Sequence, residues 1–237
     1  MSEHAADSRL ILALDLPTRA EAEAMVERLG DSVCFYKIGL QLLAVGGMEM
    51  ARDLKARGRQ VFLDWKLHDI GATVEKAAAA IAATGAGDLL TVHAEPQVLA
   101  AAVRGVEGSG LRVLGVTVLT SLNGQDLGEI GYSLGVEALV ERRIRQALDA
   151  GAAGVVASPH EAALARRIGG ADFLVVTPGV RPAGSAMDDQ ARAMTPAEAL
   201  SAGASHLVVG RPIAAAADPR AAALAVAAQM RPVGRAA

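Results

Sequence analysis

Short apolar runs alternate with helix-forming stretches along nearly the whole chain, and no other feature limits its fold so strongly. Residues 10–16 form an apolar run carrying an acid near its end, Asp15, and Thr18 with Glu21 then make a capping box. Such a box satisfies free amide donors at a helix start, so it predicts a helix to about Leu29. The unit recurs as strand 33–39 with helix 40–56, and as strand 60–67 with helix 73–83. Strands at 89–94 and 111–119 follow, each with a helical stretch behind it.

A brief sixth strand at 154–157 precedes a second box, Ser158 with Glu161, which has Pro159 in the first helical position. The seventh strand, 173–176, leads to a third box, Thr195 with Glu198. The eighth, 206–210, precedes an alanine-rich helix running to about Met230. Eight strand–helix units in 237 residues fit a single-domain α/β fold, the (β/α)₈ barrel, in number and size. A hydrophobic content of 52% with only 3% aromatic residues suits close packing of small helices on such a sheet.

A doubly wound sheet is the alternative, but the turn after the first strand reads Asp15-Leu16-Pro17-Thr18 and lacks a glycine-rich dinucleotide fingerprint. No composition break or linker divides the chain. The expected organisation is a flexible tail, residues 1–8, followed by one catalytic barrel, residues 9–237. A formal charge of −3 provides no basic stripe for nucleic acid, and no run reaches the length and apolarity of a membrane span. The single cysteine, Cys34, lies in an apolar run and reads as a small buried hydrophobe. The first residues lack the pattern of a signal peptide, so a cytoplasmic protein with small-molecule partners is expected.

Charge enters the apolar pattern at 61–70, Val-Phe-Leu-Asp-Trp-Lys-Leu-His-Asp-Ile. In a strand, Asp64 and Lys66 project together while Leu63, Trp65 and Leu67 cover the opposite face. Asp69 then stands where the strand gives way to a loop, so that two acids bracket one amine. An ordinary ion pair on an exposed edge is the plainer reading. The apolar flanks argue for a strand covered on both sides, where a buried charge costs several kcal/mol, roughly, before partners offset it.

In a barrel, active sites form at the carboxyl ends of the strands, which are the places held by Asp15, Lys37, Asp64 and Lys66. Pro178-Gly179-Val180-Arg181 follows strand seven and Gly210-Arg211-Pro212 follows strand eight, where barrels often bind phosphate. Arg211 supplies a planar, permanent charge for such a group. Two long connections, 120–135 and 181–194, have the length of binding loops. The first holds Thr120, Ser121 and Asn123, and the second Asp188, Asp189 and Gln190. His68 reads as structural or supporting, and His93 is equally open. His4, His160 and His206 read as surface, cap or packing residues, and no His or Cys spacing marks a metal site.

These segments resemble bacterial orotidine 5′-phosphate decarboxylases over nearly the whole chain. The resemblance rests on Asp64-x-Lys66-x-x-Asp69 with Lys37 before it, Leu119-Thr120-Ser121, Pro178-Gly179-Val180-Arg181-Pro182, Asp189-Gln190 and Val208-Val209-Gly210-Arg211-Pro212-Ile213, in register. It implies decarboxylation of orotidine 5′-phosphate to uridine 5′-phosphate in de novo pyrimidine synthesis, without metal or cofactor. Lys66 would protonate C6 as carbon dioxide leaves, with Asp64, Lys37 and Asp69 fixing its place and charge. Asp15 and Lys37 would hold the ribose, Thr120 and Ser121 the base, and Arg181, Gln190, Gly210 and Arg211 the phosphate. The resemblance also implies a homodimer in which Asp69, Ile70 and Thr73 serve the other subunit's site.

The family's usual Asp-Ile-Pro-Asn-Thr reads Asp69-Ile70-Gly71-Ala72-Thr73 here, a departure in the loop that keeps Ile70 and Thr73. Two other functions stand beside this one. A Mg²⁺-dependent keto-sugar-phosphate decarboxylase of the same superfamily carries a similar acidic–basic core, and a non-catalytic phosphometabolite-binding barrel would need no chemistry from it.

Overall fold

The computed structural model describes residues 6–182 and 194–231. Its strands are β1 (Leu10–Ala13), β2 (Phe35–Gly39), β3 (Gln60–Leu67), β4 (Leu89–His93), β5 (Arg112–Val116), β6 (Gly154–Val156), β7 (Leu174–Pro178) and β8 (His206–Val209). Each pairs in parallel with the next, and β8 returns to β1, so the sheet closes on itself as a (β/α)₈ barrel.

The period of two within each strand sorts side chains into two cores. Ile11, Ala13, Phe35, Phe62, Leu89, Leu114, Val176 and Val208 fill the barrel interior. The alternate residues, among them Leu12, Ile38, Leu63, Val92, Val155 and Leu207, pack outward with buried residues of the surrounding helices. Both faces of the strands are therefore apolar, which is why the strands read as continuous runs.

The connecting helices are α1 (Arg19–Leu29), α2 (Leu40–Leu43), α3 (Gly47–Ala56), α4 (Gly71–Ala83), α5 (Pro96–Gly105), α6 (Gly124–Ile130), α7 (Val136–Asp149), α8 (Ala162–Gly169), α9 (Pro196–Ser201), α10 (Arg211–Ala214) and α11 (Pro219–Gln229). The expected capping boxes head α1 and α9: the Glu21 amide donates to Thr18 Oγ1 at 3.2 Å, and the Glu198 amide to Thr195 Oγ1 at 3.3 Å. At the third, the Ser158 amide donates to Glu161 Oε2 at 2.9 Å, and a 3₁₀ turn, Pro159–Glu161, precedes α8.

Several strands are shorter than the sequence expectation, β1 ending at Ala13 and β5 at Val116, and three helical segments differ from it. The helix expected over 40–56 is two helices, α2 and α3, separated by residues 44–46, where Gly46 caps the start of α3 at φ +98°, a conformation that favours glycine. The helix after β3 begins at Gly71 rather than Thr73, since Ile70 has an extended conformation and its carbonyl already accepts the Val74 amide at 3.1 Å. The connection 120–135 is not a bare loop but contains α6. Asn123 Oδ1 accepts the amides of Gln125 and Asp126 at 2.8 and 3.2 Å, and Asp126 Oδ2 accepts the Asn123 amide at 2.8 Å. This is a capping box written in Asn and Asp.

At the amino-terminal end of the barrel, Asp7 holds Arg9 at 2.6 Å and Arg9 donates to the Met230 carbonyl at 3.0 Å, joining both ends of the described chain. His206 lies edge-on to Phe35 at 5.8 Å between ring centroids, with its Nδ1 3.0 Å from Ser205 Oγ. It is a packing residue, as expected.

Candidate active site

At the carboxyl ends of the strands a cavity of about 360 Å³ opens over the interior core, with Phe62, Val116, Val156 and Val208 as its floor. Asp15, Lys37, Asp64 and Lys66 line one side, Arg181, Gly210 and Arg211 another, and Thr120 enters from the segment after β5. Polar groups are thus gathered over an apolar base, the usual construction of a small-molecule site.

Four charges, Asp15 just after β1, Lys37 on β2, and Asp64 and Lys66 on β3, form one alternating chain. Asp15 Oδ1 lies 3.0 Å from Lys37 Nζ, Lys37 Nζ lies 3.4 Å from Asp64 Oδ2, and Asp64 Oδ1 lies 2.8 Å from Lys66 Nζ. Asp64 at the centre keeps 13% of its side chain exposed, whereas Asp15 at the rim keeps 57%. The inner contacts are therefore the least screened by water.

Burial acts to raise the Asp64 carboxyl, but the ammonium groups of Lys37 and Lys66 outweigh it. Hydrogen bonds from Lys66 and Thr91 add to their effect, and the group lies below its ordinary value. Asp64 is thus an anion held between two cations at neutral pH.

The backbone departs from a regular strand where these charges sit. Between the pairs Leu63↔Leu90 and Leu67↔Val92, β3 advances four residues while β4 advances two. The extra residues bulge at Asp64–Lys66, and Lys66 takes φ +49°, the one positive φ at a non-glycine position among the described residues. Bulges of this kind re-aim side chains beside active sites. Asp64 and Lys66 still share a face, as the period of two predicts, with Leu63 and Trp65 buried on the other.

Other expected site residues lie elsewhere. On the described chain Lys66 meets Asp64 but not Asp69: β3 stops at Leu67, and Asp69 is turned out to solvent, accepting the Ile70 amide at 2.6 Å. Ile70 is 69% exposed and Thr73 is also exposed, neither lining the cavity. Ser121 lies in a neighbouring depression shared with Asn123 and Ser158. Asp188, Asp189 and Gln190 lie outside the described residues.

Two supports have no mark in the sequence. Thr91, within the apolar strand β4, is fully buried and bonds both Asp64 and Lys66. Arg143 of α7, also buried, donates to the Thr117 carbonyl, to Glu95 Oε1 at 2.9 Å and to the Tyr132 hydroxyl at 2.7 Å. It thereby ties the segment leading to Thr120 to the start of α5 and the end of α6. Glu95 Oε2 faces His68 Nε2 at 3.4 Å, and His68 stacks obliquely on His93 at 5.0 Å between ring centroids. Burial is the main cause that lowers the His93 pKa. Both histidines therefore stand beside the cavity, outside its lining.

No helix among the described residues is long and apolar enough to cross a membrane, and no group of three or more His, Cys, Asp or Glu is placed there to hold a metal.

Residues 8–226 match the family described as orotidine 5′-phosphate decarboxylase / HUMPS. The chain is 67% identical over 225 residues to an orotidine 5′-phosphate decarboxylase of Caulobacter sp. (strain K31), covering 95% of this chain and 98% of that one. It is 64% identical over 229 residues to the protein of that name from Caulobacter vibrioides (strain NA1000 / CB15N), with the same coverage. Among solved structures it is similar to the orotidine 5′-phosphate decarboxylase of Lactobacillus acidophilus, with a TM-score of 0.84 and 36% identity over 95% of this chain and all of that one. A conserved protein of Geobacillus kaustophilus superposes with a TM-score of 0.81 at 32% identity, over 94% of this chain and all of that one.

Proposed function

The chain belongs to the orotidine 5′-phosphate decarboxylase / HUMPS family, and from that premise we propose that it converts orotidine 5′-phosphate to uridine 5′-phosphate and carbon dioxide in pyrimidine synthesis. The observation that carries the reading is the continuous array Asp15–Lys37–Asp64–Lys66 at the rim of an apolar cavity.

Loss of carbon dioxide from C6 leaves an electron pair in the plane of the pyrimidine ring, where it cannot spread into the π system. Stabilisation then falls to charge already in place. An ammonium about 4 Å from the developing carbanion contributes roughly 4 kcal/mol at an effective dielectric near 20. In this reading Lys66 supplies that charge and then delivers a proton to C6, while Asp64 and Lys37 keep it charged and aimed. The reaction as proposed uses no metal or organic cofactor.

Asp15 and Lys37 hold the ribose, and Thr120 and Ser121 meet the base. Arg181, Gly210 and Arg211 grip the phosphate together with Gln190, and binding energy from that remote group is used in the transition state. Asp69, Ile70 and Thr73, directed away from their own cavity, complete the site of a second copy in a homodimer. The large exposure of an apolar Ile70 supports this assignment. Residues 9–237 act as the catalytic unit, in the cytoplasm.

The test is the ultraviolet absorbance of orotidine 5′-phosphate mixed with purified protein in excess chelator. Rapid conversion to uridine 5′-phosphate is expected. No conversion by folded protein would overturn the reading, and turnover of a keto-sugar phosphate only with Mg²⁺ would move the chain to the metal-dependent branch.

A further inference from the structure

At the bulge in β3, a buried hydroxyl takes the place of missing backbone pairing. Thr91 belongs to the inward-facing set of β4, above Leu89, and is 0% exposed. Its Oγ1 accepts the Lys66 amide at 3.0 Å and donates to Asp64 Oδ1 at 3.0 Å. One hydroxyl offers one proton and free lone pairs, so both bonds form at once without conflict.

The two bonds act on the two residues at the centre of the charge array. One holds the Lys66 backbone at a positive φ, which a non-glycine residue keeps only where its surroundings impose it. The other fixes the Asp64 oxygen that also receives Lys66 Nζ at 2.8 Å. Removing the hydroxyl leaves a buried amide without its partner and frees the carboxylate to turn.

We infer that Thr91 is a positioning residue for decarboxylation: its hydroxyl clamps the strained Lys66 backbone to the Asp64 carboxylate and thereby sets where the Lys66 ammonium stands. Thr91 does not line the cavity, and the residues proposed to hold ribose and phosphate belong to β2 and to the segments after β1, β7 and β8. Its loss therefore acts on kcat rather than on KM. The inference rests on the decarboxylase reading for its kinetic consequence, but the clamp itself is a property of the folded chain.

Four proteins test it: wild type, Thr91→Val, Thr91→Ser and Thr91→Ala. Valine keeps the branched shape without the hydroxyl, and serine and alanine both lack the methyl but differ in the hydroxyl. The expected result is a fall in kcat of about tenfold to a hundredfold for Thr91→Val, the range for a lost hydrogen bond to a charged group, with KM nearly unchanged. Thr91→Ser should recover most of kcat, and Thr91→Ala should not.

Wild-type kcat in Thr91→Val, or equal kcat in the serine and alanine variants, overturns the inference. The serine–alanine comparison serves alone if Thr91→Val does not fold. If wild type itself does not turn over orotidine 5′-phosphate, the functional reading fails separately. The clamp is then judged by a crystal structure of Thr91→Val or Thr91→Ala: it fails if Lys66 keeps its positive φ and its short contact with Asp64.

Discussion

Gly39 leaves open the space that Asp15 uses to reach Lys37. A Cβ at Gly39 would stand 3.0 Å from Asp15 Oδ1 and 3.1 Å from Lys37 Nζ, tighter than nearly all real contacts. The backbone there is extended and free of strain, so the requirement is for room alone. Gly39→Ala should displace the rim carboxylate, weaken the proposed ribose contact and lower kcat/KM by about tenfold, the loss of one charge-assisted hydrogen bond. Steady-state kinetics with a melting curve checks this, and wild-type kcat/KM would contradict it.

Gly71 stands at the first position of α4, where the family's usual residue is proline. Proline fits this position because the missing amide has no helical partner to lose, and Ile70, at φ −58° and ψ 145°, already has the conformation that precedes proline. A Cβ would meet only ordinary contacts, the nearest at 3.7 Å. Gly71→Pro is therefore expected to stabilise the fold by about 0.4–1 kcal/mol through the unfolded chain. Urea unfolding measures it, and destabilisation would show that the Gly71 amide is needed.

His206 carries a pH dependence of stability. Burial, with help from Arg112 and Arg9, lowers its pKa from 6.5 to about 4. The unfolded chain therefore takes up this proton below pH 6.5, while the native chain does so only near pH 4. Stability from this group is complete above pH 6.5 and is lost as pH falls from there to about 4. The loss is on the order of 3 kcal/mol at 1.36 kcal/mol per pKa unit. His206→Gln should flatten that part of a urea-unfolding profile, and an unchanged slope would refute the assignment.

Arg143 serves three acceptors at once, a task suited to the planar guanidinium and not to lysine. Arg143→Ala leaves Glu95 partly buried without its cation and should cost about 3 kcal/mol or more. Arg143→Lys should recover only part of that loss in urea unfolding. Full recovery would mean that charge alone, and not the fork of donors, holds the segment before Thr120.

The parts of this site that were legible in the sequence are those set by local periodicity. Alternation puts Asp64 and Lys66 on one face, and the strand count puts Asp15 and Lys37 beside them. The Thr18 and Thr195 boxes mark their helices because their spacing alone makes the hydrogen bonds. The Asn123–Asp126 box does the same work with residues equally common in loops, so the sequence does not mark α6. Asp69 follows Lys66 by three residues, but strand alternation says nothing of a chain after its strand has ended. Thr91 left no signal, since one hydroxyl in Leu89-Leu90-Thr91-Val92 matters only through the bulge opposite, which is a property of the pairing of two strands.

The central claim is that Lys66 both stabilises the carbanion and protonates C6, and turnover by Lys66→Ala tests it most directly. The measurement is kcat for orotidine 5′-phosphate in excess chelator, with uridine 5′-phosphate affinity determined on the same protein. The account predicts that turnover is abolished while product affinity stays close to wild type. Turnover at the wild-type rate would contradict it.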